Sequence, residues 1–216
     1  MAIDKARLPG RQAEALRNDT AILDAARRVF IREPSAPMSA VAATAGVGIS
    51  ALYKRYASKE ELLRTLCSEG LERFAEIART ALANADPWEA FAGFITGIVE
   101  SDVHSLTVKL SGTFTPTTQL HELAAESSAL AEKVFDRASD AGVLRTDLVA
   151  NDMAMIFEQL AAIRLGDDER TLQLRRRYLT IQLDALRAGP DRAALPAPAV
   201  TDAELGARWR PPAPGE

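Results

Sequence analysis

Two short helices joined by a tight turn are predicted within residues 39–56, and this pattern constrains the fold more than any other part of the sequence. The first helix is predicted over Ser39–Ala45 and the second from about Gly48 to Tyr56. Two helices that cross steeply over so short a turn need small side chains at their closest approach, and Gly46 also permits the backbone twist of the turn. The segment is therefore interpreted as a helix-turn-helix.

Helical periodicity extends over most of the remaining chain, from Asn18 to Ala188, without a run of alternating β-branched residues long enough to predict a strand. The fold class is predicted to be all-α, with about nine helices. Asn18 or Asp19 can cap free amide groups, so the first helix is expected to begin there, and Pro34 ends it.

A long helix is predicted to begin after Ser58 and to connect the helix-turn-helix with the rest of the chain. The spacing of Ser58 and Glu61 is that of a capping box, in which Ser58 caps the helix and Glu61 reaches back to the Ser58 amide. Apolar residues continue this helix until the segment Asn84 to Pro87 breaks it. Further helices are expected at about 87–103, 119–141, 149–165 and 168–188, with a brief helix and a bend between the first two, and Gly142 closing the second.

The chain is predicted to divide into a basic N-terminal arm (1–17), a helix-turn-helix domain (18–65), a larger helical domain (66–188) and a Pro-rich tail (189–216). The tail is expected to be mobile or laid along the surface. Thr201 and Glu204 have capping-box spacing and predict one or two helical turns that dock through Trp209. A disordered tail fits the sequence equally well.

The charge is distributed unevenly along the chain. Of the 26 Lys and Arg and 30 Asp and Glu residues, positions 1–65 hold 11 basic and 7 acidic ones, a net charge of +4. The remainder therefore has 15 basic and 23 acidic residues, a net of −8. A basic module on an acidic body is typical of a protein that approaches phosphates with one end only.

The sequence also limits the compartment and the chemistry. It contains no apolar run long enough to cross a membrane and no signal peptide, so the cytoplasm is the expected location. Cys67 is the single cysteine, which excludes an intrachain disulfide or a cysteine-based zinc site within one subunit. A half-buried thiol is preferred for it over a redox sensor. Neither a cofactor nor a metal is expected.

The second helix of the helix-turn-helix is predicted to leave one side free, and that side suits a DNA major groove. Ser50 and Ala51 are small enough for close approach to base edges, whereas Lys54 and Arg55 can reach guanine or phosphate oxygens. Phosphate contacts are predicted from Ser39, Lys59 and Tyr53. A helical hairpin whose charges are merely solvated is the alternative.

At these residues the chain resembles the DNA-binding domain of TetR-family regulators. The resemblance lies in Gly46-Val47, Ala51-Leu52-Tyr53-Lys54-Arg55-Tyr56 and Ser58-Lys59-Glu60-Glu61-Leu62-Leu63, and it covers about residues 18–65. It implies phosphate contacts for Ser39, Tyr53 and Lys59 and operator reading by Ile49, Ser50, Ala51, Lys54 and Arg55. Two departures are a proline-containing loop where the family usually has a glycine turn and Arg55 where histidine is frequent.

For the rest of the chain the resemblance is loose and implies a ligand pocket and a dimer interface. Seven apolar residues are candidates for the pocket: Trp88, Phe91, Phe94, Ile98, Phe114, Phe135 and Phe157. The candidates for a four-helix dimer interface are Met153, Ile156, Leu160, Ile163, Tyr178, Ile181 and Leu186. An ordinary internal core explains either set as well. His104 and His121 are interpreted as surface or core residues rather than ligand anchors or metal ligands.

The function expected from these observations is that of a homodimeric bacterial transcription regulator that binds a double-stranded DNA operator. The resemblance implies a repressor released by a small apolar or amphipathic ligand, through a shift toward a dimer state that no longer fits DNA. An activator, or a DNA-binding module without an effector, remains an alternative. An enzyme is not expected, because the sequence shows no catalytic triad, HExxH motif, phosphate-binding glycine loop or paired carboxylates near a histidine.

Overall fold

The computed structural model describes residues 10–110, 112–190 and 192–208, with the side chains of 10–17 and Thr107 left out. Within these ranges the chain forms ten α-helices and no strand, which confirms the all-α prediction. The helices are α1 Gly10–Arg32, α2 Met38–Ala45, α3 Ile49–Arg55, α4 Lys59–Leu82, α5 Pro87–Glu100, α6 Val103–Leu110, α7 Thr118–Asp140, α8 Asp152–Ala162, α9 Asp168–Leu186 and α10 Asp202–Ala207. Two compact units divide the chain, residues 1–66 and 67–216, and the division falls inside α4.

The first helix begins earlier than the sequence predicted. It starts at Gly10 rather than at Asn18 or Asp19, so the part of the expected basic arm that is described is helical. Residues 11–17 consist of Arg, Gln, Ala, Glu and Leu, which are strong helix formers and extend the helix past the two capping residues. Asp19 consequently lies within the helix, where its carboxylate serves a different purpose. The first nine residues of the predicted arm lie outside the described ranges.

The N-terminal unit has a small core between α1, α2 and α3, with the first turns of α4. Phe30 of α1, Val41 of α2 and Leu52 of α3 are each 0% exposed, and Leu62 of α4 is as well. Burying these side chains holds α2 and α3 against α1, and these two helices of eight and seven residues would not be stable alone in water.

The N-terminus of α4 is capped somewhat differently from the prediction. The Ser58 hydroxyl accepts a hydrogen bond from the Glu61 amide at 3.1 Å, as expected. The Glu61 carboxylate, however, accepts from the amide of Ala57 at 2.8 Å and not from that of Ser58. Its reach one residue further back ties the preceding loop to the helix. The start of this helix was predicted correctly, although its reciprocal hydrogen bond was assigned to the wrong amide.

The C-terminal unit is organised around α5, which contacts α6, α7, α8 and α9. Edge-on aromatic contacts connect these layers: the ring centroid of Phe94 lies 5.3 Å from that of Phe74 and 6.4 Å from that of Phe157. Phe91 reaches Phe135 of α7 at 6.4 Å. Gly97 lets α4 approach α5, because a Cβ added there would lie 2.8 Å from the Ile77 side chain. Cys67 is buried, and burial raises the pKa of its thiol to about 12.

The described part of the tail lies along the surface of the C-terminal unit. The Leu195 amide donates to Asp147 at 2.9 Å, and the Asn151 side-chain amide donates to the Val200 carbonyl at 3.1 Å. The predicted capping box of Thr201 and Glu204 is present and starts α10. These bonds settle the open alternatives in favour of an ordered segment for 192–208. Trp209, the expected docking residue, lies outside the described ranges.

Candidate nucleic-acid interface

The helix α3 has one buried side and one exposed side. Leu52 is 0% exposed and anchors the helix to the core of the N-terminal unit. The residues predicted to face DNA are all exposed: Ile49, Ser50, Ala51, Tyr53, Lys54 and Arg55. Tyr53 retains 49% of its accessible surface and Ile49 41%, which is unusual for side chains of their size. The helix therefore presents a slim, mildly basic surface with two exposed apolar or aromatic side chains.

The turn between α2 and α3 depends on Gly46. Its φ angle is +69°, in the left-handed region, and its amide and the following one donate back to carbonyl groups of α2. A Cβ at Gly46 would meet no atom within 4 Å, so the backbone conformation alone requires glycine. The glycine fixes where α3 leaves α2.

The beginning of α2 offers groups that suit a phosphate. Pro37 is its N-cap residue and makes no side-chain capping bond, so the first amides of this helix lack a side-chain cap. Ser39 is exposed in this first turn. A hydroxyl and uncapped helical amides can donate hydrogen bonds to a phosphate oxygen, and the helix dipole favours the negative charge there. The structure thus places Ser39 as the sequence predicted, without testing the contact.

Arg55 is held by a carboxylate of its own chain. Its guanidinium makes two hydrogen bonds to Asp19, of 2.8 and 2.7 Å, and the Tyr56 hydroxyl donates to the same carboxylate at 2.7 Å. These bonds keep the pKa of Asp19 below its ordinary value, Arg55 contributing most. Arg55 still exposes 59% of its side chain. It therefore braces the end of α3 against α1, a contact that sequence reasoning missed because it treated Asp19 as a helix cap.

Lys59 is likewise engaged within the chain. Its ammonium group donates to the carbonyl oxygens of Pro34 at 2.7 Å and Ala36 at 2.9 Å, and lies 5.0 Å from the Phe30 ring centroid. Partial burial lowers the pKa of the Lys59 amine. An ammonium group has three hydrogens, and these two bonds leave one for a phosphate. The proline-containing loop that departs from the family pattern is thus fastened by Lys59.

Comparison with known proteins agrees with this geometry. A family model described as bacterial regulatory proteins, tetR family, matches residues 22–66, which end where the N-terminal unit ends. A TetR transcriptional regulator of known structure from Streptomyces coelicolor is 25% identical, with 79% of this chain and 98% of that chain covered and a TM-score of 0.55. These matches support a TetR-family regulator, with the family model confined to the N-terminal unit.

Two further TetR-family structures have the same fold. The TetR transcription regulatory protein from Mycobacterium vanbaalenii is 24% identical, covering 82% of this chain and 99% of that chain with a TM-score of 0.55. LfrR from Mycobacterium smegmatis, solved in complex with proflavine, is 23% identical, covering 77% and 96% with a TM-score of 0.53. No curated protein sequence matched. The tetR match in the N-terminal unit and the shared fold support a DNA-binding regulator.

Most candidate pocket residues lie in one apolar cluster. Phe91, Phe94, Ile98, Phe135 and Phe157 are buried there, and Trp88 packs against it while half-exposed. Phe114 is also buried, after α6. Their positions fit a packed core as well as a ligand site, so their role in binding stays a prediction.

The candidate interface residues divide into two groups. Met153, Ile156, Leu160 and Leu186 pack in the core of their own subunit, Leu160 at 0% exposure, and their contact with a partner stays a prediction. Helical periodicity identified them as apolar without showing which side of the helix faces inward. Tyr178 and Ile181 of α9 are 48% and 55% exposed and remain available. Ile163 is half-buried.

Sequence reasoning overlooked a buried polar cluster in the C-terminal unit. Arg175 of α9 is 3% exposed and donates to Asp102 at 2.5 Å and to the Ser105 hydroxyl at 3.0 Å. His104, which the sequence left as a surface or core residue, is buried beside them, whereas His121 is exposed. A helical arginine with no recognisable motif gives no sign of burial, which is why this cluster was missed.

Two other kinds of site are absent from the described residues. No helix there combines the length and apolar character needed to cross a lipid bilayer. Within the same ranges, no group of three or more His, Cys, Asp or Glu side chains is placed to hold a metal ion.

Proposed function

We propose that the protein is a homodimeric repressor that reads its operator with α3 and is released from DNA by a small apolar or amphipathic ligand. The observation that carries the DNA-binding part is the division of α3 into a buried anchor, Leu52, and an exposed surface. A fully buried anchor fixes the helix while leaving its outer side free to enter a major groove. Among the described residues of the N-terminal unit, Tyr53 and its neighbours on that side are exposed.

Each exposed residue of α3 has a role suited to its chemistry. Ser50 and Ala51 let the helix approach base edges, and Ile49 can contact a thymine methyl group. Lys54 reaches guanine or phosphate oxygens, while Ser39 and Tyr53 donate to phosphates. Arg55 and Lys59 contribute to binding mainly by holding α3 and the preceding loop in place, because their strongest contacts are to Asp19 and to two backbone carbonyls.

The DNA-binding role is tested by selecting an operator from random duplexes and measuring its affinity by fluorescence anisotropy at two salt concentrations. Lys54→Ala should weaken binding about tenfold. The slope of log affinity against log salt concentration should decrease in magnitude by about one, because one phosphate contact is lost. Lys133→Ala is the matched control, since Lys133 is an exposed lysine on α7, and it should leave affinity within about twofold. Failure to select any preferred duplex, or equal losses in the two variants, would contradict operator reading by α3.

A homodimer would place two recognition helices one DNA turn apart, about 34 Å. We assign Tyr178 and Ile181 to the interface because exposed apolar side chains of this size on one helix are costly to leave in water. Ile181→Glu should convert a dimer into a monomer in light scattering. Leu165→Glu, a control at a 64% exposed leucine in the loop before α9, should not. A wild-type protein that is monomeric at micromolar concentration would contradict this assignment.

The repressor and ligand parts of the proposal are supported by the apolar C-terminal core and by the relative LfrR, whose structure holds proflavine. A ligand that favours a dimer state unable to match DNA weakens operator binding, and DNA reciprocally weakens ligand binding by the same factor. Transcription from an operator-bearing promoter should fall when the protein is added and recover with ligand. An increase on addition of the protein would establish an activator instead.

A further inference from the structure

The corner between α5 and α6 contains a buried polar cluster formed by Asp102, His104, Ser105 and Arg175. Asp102 has a φ of +53°, a strained value for a residue other than glycine, and receives the Arg175 guanidinium at 2.5 Å. Arg175 also donates to Ser105 and to the Ala161 carbonyl at 3.3 Å, and thereby holds α9 against α8 and this corner. The cluster is thus firmly positioned.

Two polar atoms in this cluster have no partner. His104 Nε2 and Arg175 Nε are both buried, and none of the residues that the structure describes offers either of them a hydrogen bond. The two side chains belong to residues only 4% and 3% exposed. A buried polar group without a partner destabilises a fold, so such atoms usually receive a water or a ligand.

The contacts of His104 define what its free nitrogen can bind. Its Nδ1 lies 3.3 Å from the carbonyl oxygen of Ile98. A carbonyl can only accept, so Nδ1 carries the ring proton and Nε2 presents a lone pair. Burial is the main reason that the pKa of His104 is lowered to about 4, and the ring is therefore neutral near pH 7. His104 Nε2 can therefore accept a hydrogen bond from a bound donor.

The surroundings of His104 are those of the apolar cluster. Its ring centroid lies 6.1 Å from that of Phe157, which in turn packs on Phe94. Sites for an apolar ligand with one polar group usually combine aromatic and aliphatic side chains with a few oriented polar groups. His104 Nε2 provides one such acceptor here. Arg175 disfavours a cationic group nearby, and the lone pair of Nε2 disfavours a carboxylate.

We propose that His104 is the polar anchor of the effector site and that the effector is an apolar molecule with a hydroxyl group, an alcohol or a phenol, which donates its hydrogen bond to His104 Nε2. This inference rests on the ligand-binding part of the proposed function and specifies the chemical class. The hydroxyl oxygen, which can also accept, suits the donor-rich environment next to Arg175.

The test compares two probes of nearly equal shape, 4-propylphenol, which can donate, and 4-propylanisole, which cannot. Isothermal titration with the full chain should show at least about tenfold tighter binding of the phenol. In His104→Asn the amide can keep the bond to Ile98 but Nε2 is lost, and the preference should disappear. In His104→Gln an acceptor returns near the position of Nε2 and should restore part of the preference. Thermal melts without probe verify that both variants fold.

The outcomes separate this inference from the proposal on which it rests. Equal binding of both probes would overturn the hydroxyl anchor while leaving an apolar effector site. A preference that persists in His104→Asn would overturn the role of His104. If neither probe binds, both the anchor and the site around Phe157 are wrong, and operator binding by α3 stands or falls on the separate anisotropy measurement.

Discussion

In the N-terminal unit the type of a residue indicates its role more directly than in the C-terminal unit. In the N-terminal unit a residue type often permits only one role: glycine at position 46 provides a left-handed turn, and Leu52 anchors a helix too short to be stable alone. In the C-terminal unit a phenylalanine such as Phe94 fits a core, a ligand site or an interface equally well. Local backbone and helix-length requirements therefore indicate the role of a residue in the N-terminal unit. In the C-terminal unit that role depends on tertiary packing.

The largest effect is expected in the C-terminal core. Phe94→Ala should lower the free energy of unfolding by about 3–5 kcal/mol, because Phe94 is fully buried between Phe74 and Phe157. Urea unfolding followed by circular dichroism measures this. Leu52→Ala provides the comparison in the N-terminal unit, at about 2–5 kcal/mol. A loss below about 1 kcal/mol for Phe94→Ala would show that its neighbourhood is not close-packed.

The second effect is a pH dependence that belongs to the C-terminal unit. The pKa of His104 is about 4 in the folded chain against an ordinary 6.5, so the unfolded chain binds the proton first as the pH falls. The free energy of unfolding should therefore decrease between pH 6.5 and 4, by up to roughly 1.4 kcal/mol per pH unit from this group.

The charges of Asp102, Arg164 and Arg175 also act on the pKa of His104. The informative quantity is consequently the difference in unfolding free energy between wild type and His104→Asn, measured at several pH values. This difference should shrink as the pH falls. A difference that stays constant from pH 7 to 4.5 would show that His104 is not buried in its neutral form.

The third effect is expected at the turn between α2 and α3 in the N-terminal unit. Gly46→Ala should destabilise by about 1–2 kcal/mol because of its left-handed conformation. Gly48→Ala is a matched control, as a Cβ at either position meets no atom within 4 Å while Gly48 has a φ of −66°. Thermal unfolding of the two variants compares them directly. Similar losses would mean that the backbone angle of Gly46 is not the reason for glycine there.

The smallest effect concerns the brace between α1 and α3. Asp19→Asn should cost less than about 1 kcal/mol of stability, because Arg55 is more than half exposed and water screens the pair. Operator affinity should fall about two- to fivefold as the end of α3 loosens. Asp24→Asn, which removes the neighbouring Asp24–Arg27 pair on α1, is the control. A gain in affinity would show instead that Arg55 is freed to contact DNA.

Sequence reasoning reached the helix-turn-helix because capping, turn and periodicity signals are local. It predicted α2, α3 and the start of α4 to within a residue or two. It placed the start of α1 too late, because a good capping residue was taken as a boundary although strong helix formers precede it. The partner of Arg55 was out of reach, since Asp19 lies 36 residues away along the chain.

In the C-terminal unit the helices were predicted but the directions of their side chains were not. The periodic pattern of α8 identifies Ile156 and Leu160 as apolar without distinguishing a partner subunit from the core that surrounds them. The burial of Arg175 depends on contacts with α6 and α8 that no short motif encodes. Tertiary packing, rather than local sequence preference, determines which of these side chains are buried.

The single cysteine of this chain has a practical consequence for such experiments. Thiol reagents attack the thiolate, and a thiol with a pKa of about 12 is almost entirely protonated at neutral pH as well as shielded from solvent. Wild-type protein should therefore react slowly with maleimide dyes. A cysteine introduced at an exposed position such as Ser50 or Lys133 could then be labelled selectively, giving a fluorescent reporter on either unit without altering Cys67.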